Sequence, residues 1–181
     1  MKVIFLDIDG VLNHSQTMSK TPSGWTGLSE NLVSRLGIIT KETGAVVVLT
    51  TTWKVDWDKN EEYRMPDGVY LHQKLMKEKI FIFDKTESFP DKKVQDSFYR
   101  GREILNFLDA HPEITSYIIL DDNEFEFEQY PDTIMPYFIH TDAACGLSIP
   151  NMNQALELLG KKVEQSLKLE TTEEKEMELS I

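Results

Sequence analysis

Val3-Ile4-Phe5-Leu6-Asp7-Ile8-Asp9-Gly10-Val11-Leu12-Asn13 is the stretch that decides the fold. The four apolar residues at its head, two of them β-branched, read as a short strand buried on both faces, and Gly10 reads as the turn that follows. Asp7 and Asp9 then emerge where the strand ends. Two positions apart on an extended backbone, their side chains leave the same face, so the carboxylates repel unless a cation or a shared proton intervenes. Hard oxygen donors favour Mg²⁺. The same pair also fits two acids that merely hydrate a strand end, and the rest of the chain has to decide between them.

Outward from that stretch, apolar runs alternate with helical patterns. A polar loop from His14 to Leu28, holding Pro22 and Trp25, leads to Ser29, an N-cap for a helix with Leu32, Val33, Leu36 and Ile39 at helical spacing and Gly44 as terminator. Ala45-Val46-Val47-Val48-Leu49 is a second buried strand and runs into Thr50-Thr51-Thr52-Trp53-Lys54. A helix is expected around Val69 to Glu78, a third strand at Ile80-Phe81-Ile82-Phe83, and a loop from Asp84 to Tyr99. Arg100-Gly101-Arg102-Glu103 opens a helix whose apolar face is Ile104, Leu105, Phe107 and Leu108, stopped by Pro112. A fourth strand, Tyr117-Ile118-Ile119-Leu120, ends in Asp121-Asp122-Asn123, and a fifth, Tyr137-Phe138-Ile139-His140, precedes a last helix seeded at Asn151. Short unbroken apolar strands separated by helices imply a doubly wound α/β domain around a parallel sheet. Such sheets bind ligands beyond the carboxyl ends of their strands, where Asp7, Asp9, Thr50, Asp121 and Asp122 all fall.

The 181 residues, 40% of them hydrophobic, suffice for one well-buried core, and no linker divides them. One domain over 1–160 is expected, followed by an acidic tail, 161–181, that extends the last helix or frays. No apolar run reaches the roughly 20 residues of a membrane span, and the N-terminal run is too short and too quickly acidic for a signal peptide. A soluble, cytoplasmic protein is expected, and the single cysteine, Cys145, fits a reducing compartment and reads as buried filler. The net charge of −12 opposes nucleic-acid binding at first sight, but it is unevenly spread. Residues 103–160 carry 11 acids and no Lys or Arg, whereas residues 54–102 hold 11 of the 19 basic residues, enough to serve an anionic ligand if they are not simply a solvated surface.

The polar strand ends form a series: Asp-x-Asp, then Thr, then a basic residue opening a helix, then Asp-Asp. Each suits phosphoryl transfer. A carboxylate can attack phosphorus and split a slow hydrolysis into two faster steps, while a second acid protonates the leaving oxygen and then deprotonates the attacking water. Acids on another strand can hold Mg²⁺, and a hydroxyl and a cation can grip the remaining phosphate oxygens.

Asp7-Ile8-Asp9-Gly10-Val11-Leu12 resembles the first motif of the haloacid dehalogenase (HAD) superfamily of phosphohydrolases, and Val47-Val48-Leu49-Thr50 is similar to its second. Arg100 or Arg102 would stand for the third, which usually offers Lys, and Ile118-Ile119-Leu120-Asp121-Asp122 for the fourth. The resemblance spans roughly Met1 to Leu147. It implies a Rossmann-like core with Asp7 as nucleophile, Asp9 as general acid/base, and Thr50 and Thr51 with Arg100 or Arg102 on the substrate phosphate. It also implies Mg²⁺ held by Asp7, Asp121 and the main-chain carbonyl of Asp9, with Asp122 beside Asp121 either as a further ligand or just behind the ligands. Arg100, just before Gly101, stands closer to the usual place of the third-motif cation than Arg102.

Superfamily members often carry a cap domain, and neither the His14–Leu28 loop nor the Asp84–Tyr99 loop is long enough to be one. An open site can admit a phosphate on a large molecule. Thr51-Thr52-Trp53-Lys54, Arg100-Gly101-Arg102-Glu103-Ile104 and Gly146-Leu147 resemble the phosphatase-type domains of RNA repair proteins, relatives of polynucleotide 3′-phosphatases. The expected partner is therefore a phosphorylated substrate, such as a nucleic-acid end, and not a membrane. Trp25, Trp53 and Trp57 could stack on bases and Lys54 could meet backbone phosphate, although tryptophans after a strand are more often core. Histidines His72, His111 and His140 lack metal-ligand spacing, and His14 fits a solvated loop. Glu124-Phe125-Glu126-Phe127-Glu128 alternates like an amphipathic edge segment. A small-metabolite or nucleotide phosphatase is the alternative. A phosphoacceptor receiver places its acidic pair and phosphoacceptor in the reverse order, and a silent Mg²⁺-binding domain would not need every motif acid.

Overall fold

Lys2–Leu6 form the first strand, β1, whose side chains divide between two cores: Ile4 and Leu6 enter one, Val3 and Phe5 the other, and none of the four touches solvent. That alternation is what a strand buried on both faces requires. The computed structural model describes residues 1–88 and 99–160. Over them follow α1 (Glu30–Thr43), β2 (Val46–Leu49), α2 (Pro66–Lys77), β3 (Ile82–Lys85), α3 (Arg100–Ala110), β4 (Ser116–Asp121), β5 (Phe138–His140) and α4 (Ile149–Leu158). The strands form one parallel sheet in the order β3-β2-β1-β4-β5. The doubly wound α/β architecture expected from the sequence is thus the observed one. Residues of α1, α2 and α4 join the core that contains Ile4 and Leu6, whereas Ile104 and Phe107 of α3 join the core that contains Val3 and Phe5.

With β1 central, the chain winds to β2 and β3 on one side and to β4 and β5 on the other. The crevice between the carboxyl ends of β1 and β4 is therefore the topological switch point, where open α/β sheets bind ligands. Leu6 pairs with Leu120, so the residues after β1 and the last residue of β4 come to that crevice together.

Several boundaries differ from expectation for identifiable reasons. Gly44 ends α1 at φ 69°, a left-handed conformation natural to glycine, but Ser29 makes no side-chain capping bond. α2 begins three residues before Val69, with Pro66 in its first turn, where a missing N–H costs nothing. The third strand lies at Ile82–Lys85 rather than Ile80–Phe83. As an edge strand paired only with β2, with an irregular register at Val47/Val48, it tolerates Asp84 and Lys85, while Phe81 is exposed. Asn151 is the third residue of the capping box that Ser148 opens for α4, not its start. The Glu124–Glu128 alternation does not form a strand: Phe125 takes φ 43° and Phe127 begins a short 3₁₀ turn, wholly buried. Cys145, expected to be buried, is exposed. The tail 161–181 and most of the loop between Asp84 and Tyr99 lie outside the described residues.

Candidate active site

Asp7 continues the ladder for one bond past β1, its N–H donating to Leu120 O at 2.9 Å, and this puts its carboxylate beside Asp121, the buried last residue of β4. Asp122 completes the group: one oxygen from each of Asp7, Asp121 and Asp122 lies within 4.8 Å of the others. Gly10 makes room for it. At φ +71° Gly10 turns the chain, and a Cβ there would fall 2.4 Å from Asp122 Oδ2. Thr141 Oγ1 fixes the turn by donating to Gly10 O at 2.8 Å.

Into this acidic crevice reaches Arg100, the first residue of α3. Its Nη1 donates to Asp7 Oδ1 at 2.9 Å and to Asp121 Oδ2 at 2.6 Å. The Phe125 ring lies 4.6 Å from the guanidinium carbon, a cation–π contact, and Phe125 is held at its unfavourable positive φ where it supplies it. The other arginine of the motif, Arg102, is exposed on α3, and its backbone N–H donates to Glu126 Oε1 at 3.2 Å.

One guanidinium does not balance three carboxylates. Burial, reinforced by the Asp7 charge, pushes Asp121 up to about 8 against the opposing pull of Arg100. Asp7 is also raised, first by burial and then by Asp122 and Asp9, with Arg100 again working the other way. Asp122 is raised by burial. For Arg100 the balance inverts: burial disfavours its charge, but Asp7 and Asp121 outweigh that and hold its pKa above the ordinary value. Three hard oxygen donors with surplus negative charge suit a divalent cation such as Mg²⁺.

Asp9 lies near enough for its charge to help raise both Asp7 and Asp122. β1 stops at Leu6 and the chain turns at Gly10, so strand alternation no longer governs Asp9. Its carboxylate is exposed and accepts from Asn13 Nδ2 at 2.7 Å and Trp53 Nε1 at 3.0 Å. The crowding expected within the first motif extends to the fourth, where Asp121 and Asp122 join Asp7.

Thr50 is 1% exposed, and its N–H donates to Leu6 O at 3.0 Å, yet its Oγ1 finds no partner among the described residues. A buried hydroxyl left unbonded costs about 1–3 kcal/mol, so a ligand oxygen there is favoured. Thr51 is also buried, its hydroxyl oxygen accepting from Trp53 N at 3.3 Å. Lys54 is buried too, and its ammonium is directed to Glu103 and Thr86. Phe125, Asn13 and Trp53 are contacts the sequence did not reveal, because each is brought in by a turn.

A parallel sheet with the first-motif aspartate, the second-motif threonine, a helix-opening arginine and the fourth-motif acids at its switch point defines a HAD-type domain. The chain belongs to the family described as the HAD domain in Swiss Army Knife RNA repair proteins, whose model matches residues 3–152. No curated protein and no solved structure gives a significant match. The family points to hydrolase activity of the phosphatase type. Among the described residues no helix is long and apolar enough to cross a membrane.

Proposed function

We propose that the domain is a Mg²⁺-dependent phosphomonoesterase that works through an aspartyl-phosphate on Asp7 and acts on 3′-phosphorylated nucleic-acid ends. The observation that carries this reading is the convergence of Asp7, Asp121 and Asp122 around the Arg100 guanidinium at the switch point, with the unbonded Thr50 hydroxyl on the neighbouring strand end. Membership of an RNA-repair HAD family supports the substrate class, as does a His14–Leu28 segment that forms a loop with a single bridge, Lys20 to Thr26, rather than a cap.

In the first half-reaction an Asp7 oxygen forms a bond to phosphorus as the bond to the leaving oxygen breaks, and Asp9 gives that oxygen a proton. In the second, Asp9 takes a proton from water, the water oxygen bonds to phosphorus, and Asp7 is released with inorganic phosphate. Asn13 and Trp53 hold one Asp9 oxygen each and so fix the direction of proton transfer. Arg100 and Thr50 take phosphate oxygens as they accumulate charge. Bound among Asp7, Asp121 and Asp122, Mg²⁺ would supply the neutralisation that lets an anionic nucleophile meet an anionic phosphate.

Phosphate release with Mg²⁺ from a 3′-phosphorylated oligonucleotide, a 5′-phosphorylated one, mononucleotides and sugar phosphates tests this reading. The 3′-phosphorylated oligonucleotide is expected to be the best substrate, and Asp7→Asn to be inactive. Activity surviving in Asp7→Asn would refute the mechanism, and preference for a sugar phosphate would favour the small-metabolite alternative.

A further inference from the structure

The geometry points to a nucleobase-stacking subsite on the leaving-group side of Asp9, built from Trp25 and Trp53, that takes the base of the nucleoside from which phosphate is removed. The inference rests on the proposed role of Asp9 as the acid that protonates the leaving oxygen. Whatever carries that oxygen must then lie against Asp9, on the side away from Asp7.

A cleft of about 340 Å³ opens at Asp9, within the range of small-ligand sites, and Trp25, Thr26, Thr52 and Trp53 line it. The three tryptophans of the chain have separate fates. Trp57 is core, 2% exposed, and Trp53 is half-buried with its indole N–H on Asp9. Trp25 is 72% exposed at the mouth of the same cleft. A large aromatic left in water forgoes the burial that ordinarily stabilises it, and this one is not on a slack loop. Its main-chain N–H donates to Thr21 Oγ1 at 3.2 Å and its main-chain carbonyl accepts from Thr21 N at 3.0 Å. Asp67 of α2 in turn holds Thr21 Oγ1 and Ser23 N, each at 3.0 Å. Leu28 N, at the end of the loop, donates to the Tyr70 hydroxyl at 3.0 Å. The loop is thus tied to α2 in a way that presents Trp25 to solvent beside the proton donor.

Charge selects which part of a nucleotide enters. Among the described residues Asp9, Asp56 and Asp67 line the cleft and no lining residue is basic, so a second phosphate is repelled and an uncharged base is not. Base–aromatic stacking tolerates any base, which suits an enzyme that meets ends of any sequence. RNA, DNA and mononucleotide ends share this chemistry.

The test compares two 3′-phosphorylated oligonucleotides that differ only at the terminal residue, one with its base and one with a stable abasic analogue, in ribo- and deoxyribo-series and with a mononucleotide. Wild-type protein is expected to favour the base-bearing end in kcat/KM by roughly 5- to 100-fold, mostly through KM. That ratio should collapse towards one in Trp25→Ala and return in Trp25→Phe. A wild-type ratio near one, or an equal loss on both substrates in Trp25→Ala, overturns the subsite while leaving the phosphatase reading intact. Should no substrate release phosphate, the catalytic reading fails alone, and fluorescence titration of Asp7→Asn with the same ends decides the subsite. Tryptophan quenching by the base-bearing end only, at lower concentration for Trp25 than for its Ala variant, supports it, and equal quenching by both ends overturns it.

Discussion

Arg100 and Glu103 stand one turn apart on the buried side of α3, and each meets opposite charge under very different conditions. Glu103 Oε2 accepts from Lys54 Nζ at 2.5 Å and from Thr86 Oγ1 at 2.9 Å, and Lys54 Nζ also donates to Thr86 Oγ1 at 3.0 Å. Among the described residues one cation faces one anion there, and three segments, those following β2 and β3 together with α3, are tied at one point. Arg100 instead faces Asp7 and Asp121 with Asp122 alongside, one cation against three carboxyl groups. The balanced cluster is a joint that positions α3. The unbalanced one retains negative potential, and potential left over in a buried site is what draws a cation and an electrophile.

The sharpest way to break this contrast is to remove charge from each cluster. Asp7→Asn should reduce phosphate release by on the order of 10⁴-fold or more, as loss of a nucleophile does, in a Mg²⁺-supplemented phosphate assay. Its melting temperature without Mg²⁺ should hold or rise, since one of three crowded carboxylates is gone. Glu103→Leu should act in the opposite way. It removes the carboxylate that faces the buried Lys54 ammonium and should cost about 3–5 kcal/mol in a denaturant titration, most of it recovered when Lys54→Met is added. A cost below about 1 kcal/mol, or no recovery in the double variant, would show that the pair is not the joint described.

How much of this was legible follows from where each residue sits. Asp7, Thr50 and Asp121 each follow an unbroken apolar run, so a parallel sheet had to deliver them to one edge, and Arg100 could be placed because a helical pattern begins at it. The hydrogen bonds of Asp9 to Asn13 and Trp53 are not legible, because they form past Leu6, where Gly10 at positive φ turns the chain and strand periodicity specifies no partner. β3 was misplaced because an edge strand needs only one apolar face and can run on into Asp84 and Lys85. Phe125 over Arg100, Trp53 on Asp9 and the Lys54–Glu103 pair are long-range meetings made by turns and by a helix docking on a sheet. No local period encodes them, and 49 residues separate Lys54 from Glu103.

pH and Mg²⁺ sharpen the contrast further. Asp121 is raised from an ordinary value of 3.8 to about 8, so between those limits the folded chain holds a proton that the unfolded chain has released. Stability from this group is therefore complete below about pH 4 and is lost as pH rises through 8. In scanning calorimetry with chelator, the melting temperature should fall from pH 5 to 8.5 on this account. Mg²⁺ should restore more at pH 8.5 than at pH 5, and at 100 times its Kd should add about 2.7 kcal/mol. Asp121→Asn should flatten both trends. A slope that persists in Asp121→Asn would place the titrating group elsewhere.

The smallest effect should come from Arg102, the second arginine of the motif. Helical geometry turns positions two apart to different faces, so with Arg100 directed into the crevice Arg102 is carried away from it, and it is exposed. Its backbone N–H, which no side-chain substitution alters, makes the bond to Glu126. Arg102→Ala therefore leaves Arg100 and its bonds to Asp7 and Asp121 in place. It should change kcat/KM for phosphate release by less than about threefold, a loss worth under roughly 0.7 kcal/mol of transition-state binding. Arg100→Ala, by contrast, removes the cation that faces three carboxylates and should lose far more in the same assay. A loss above tenfold in Arg102→Ala, with Arg100→Ala no worse, would move the phosphate from the crevice to the outer face of α3. The contrast between the two ends of this helix turn would then have to be redrawn around Arg102.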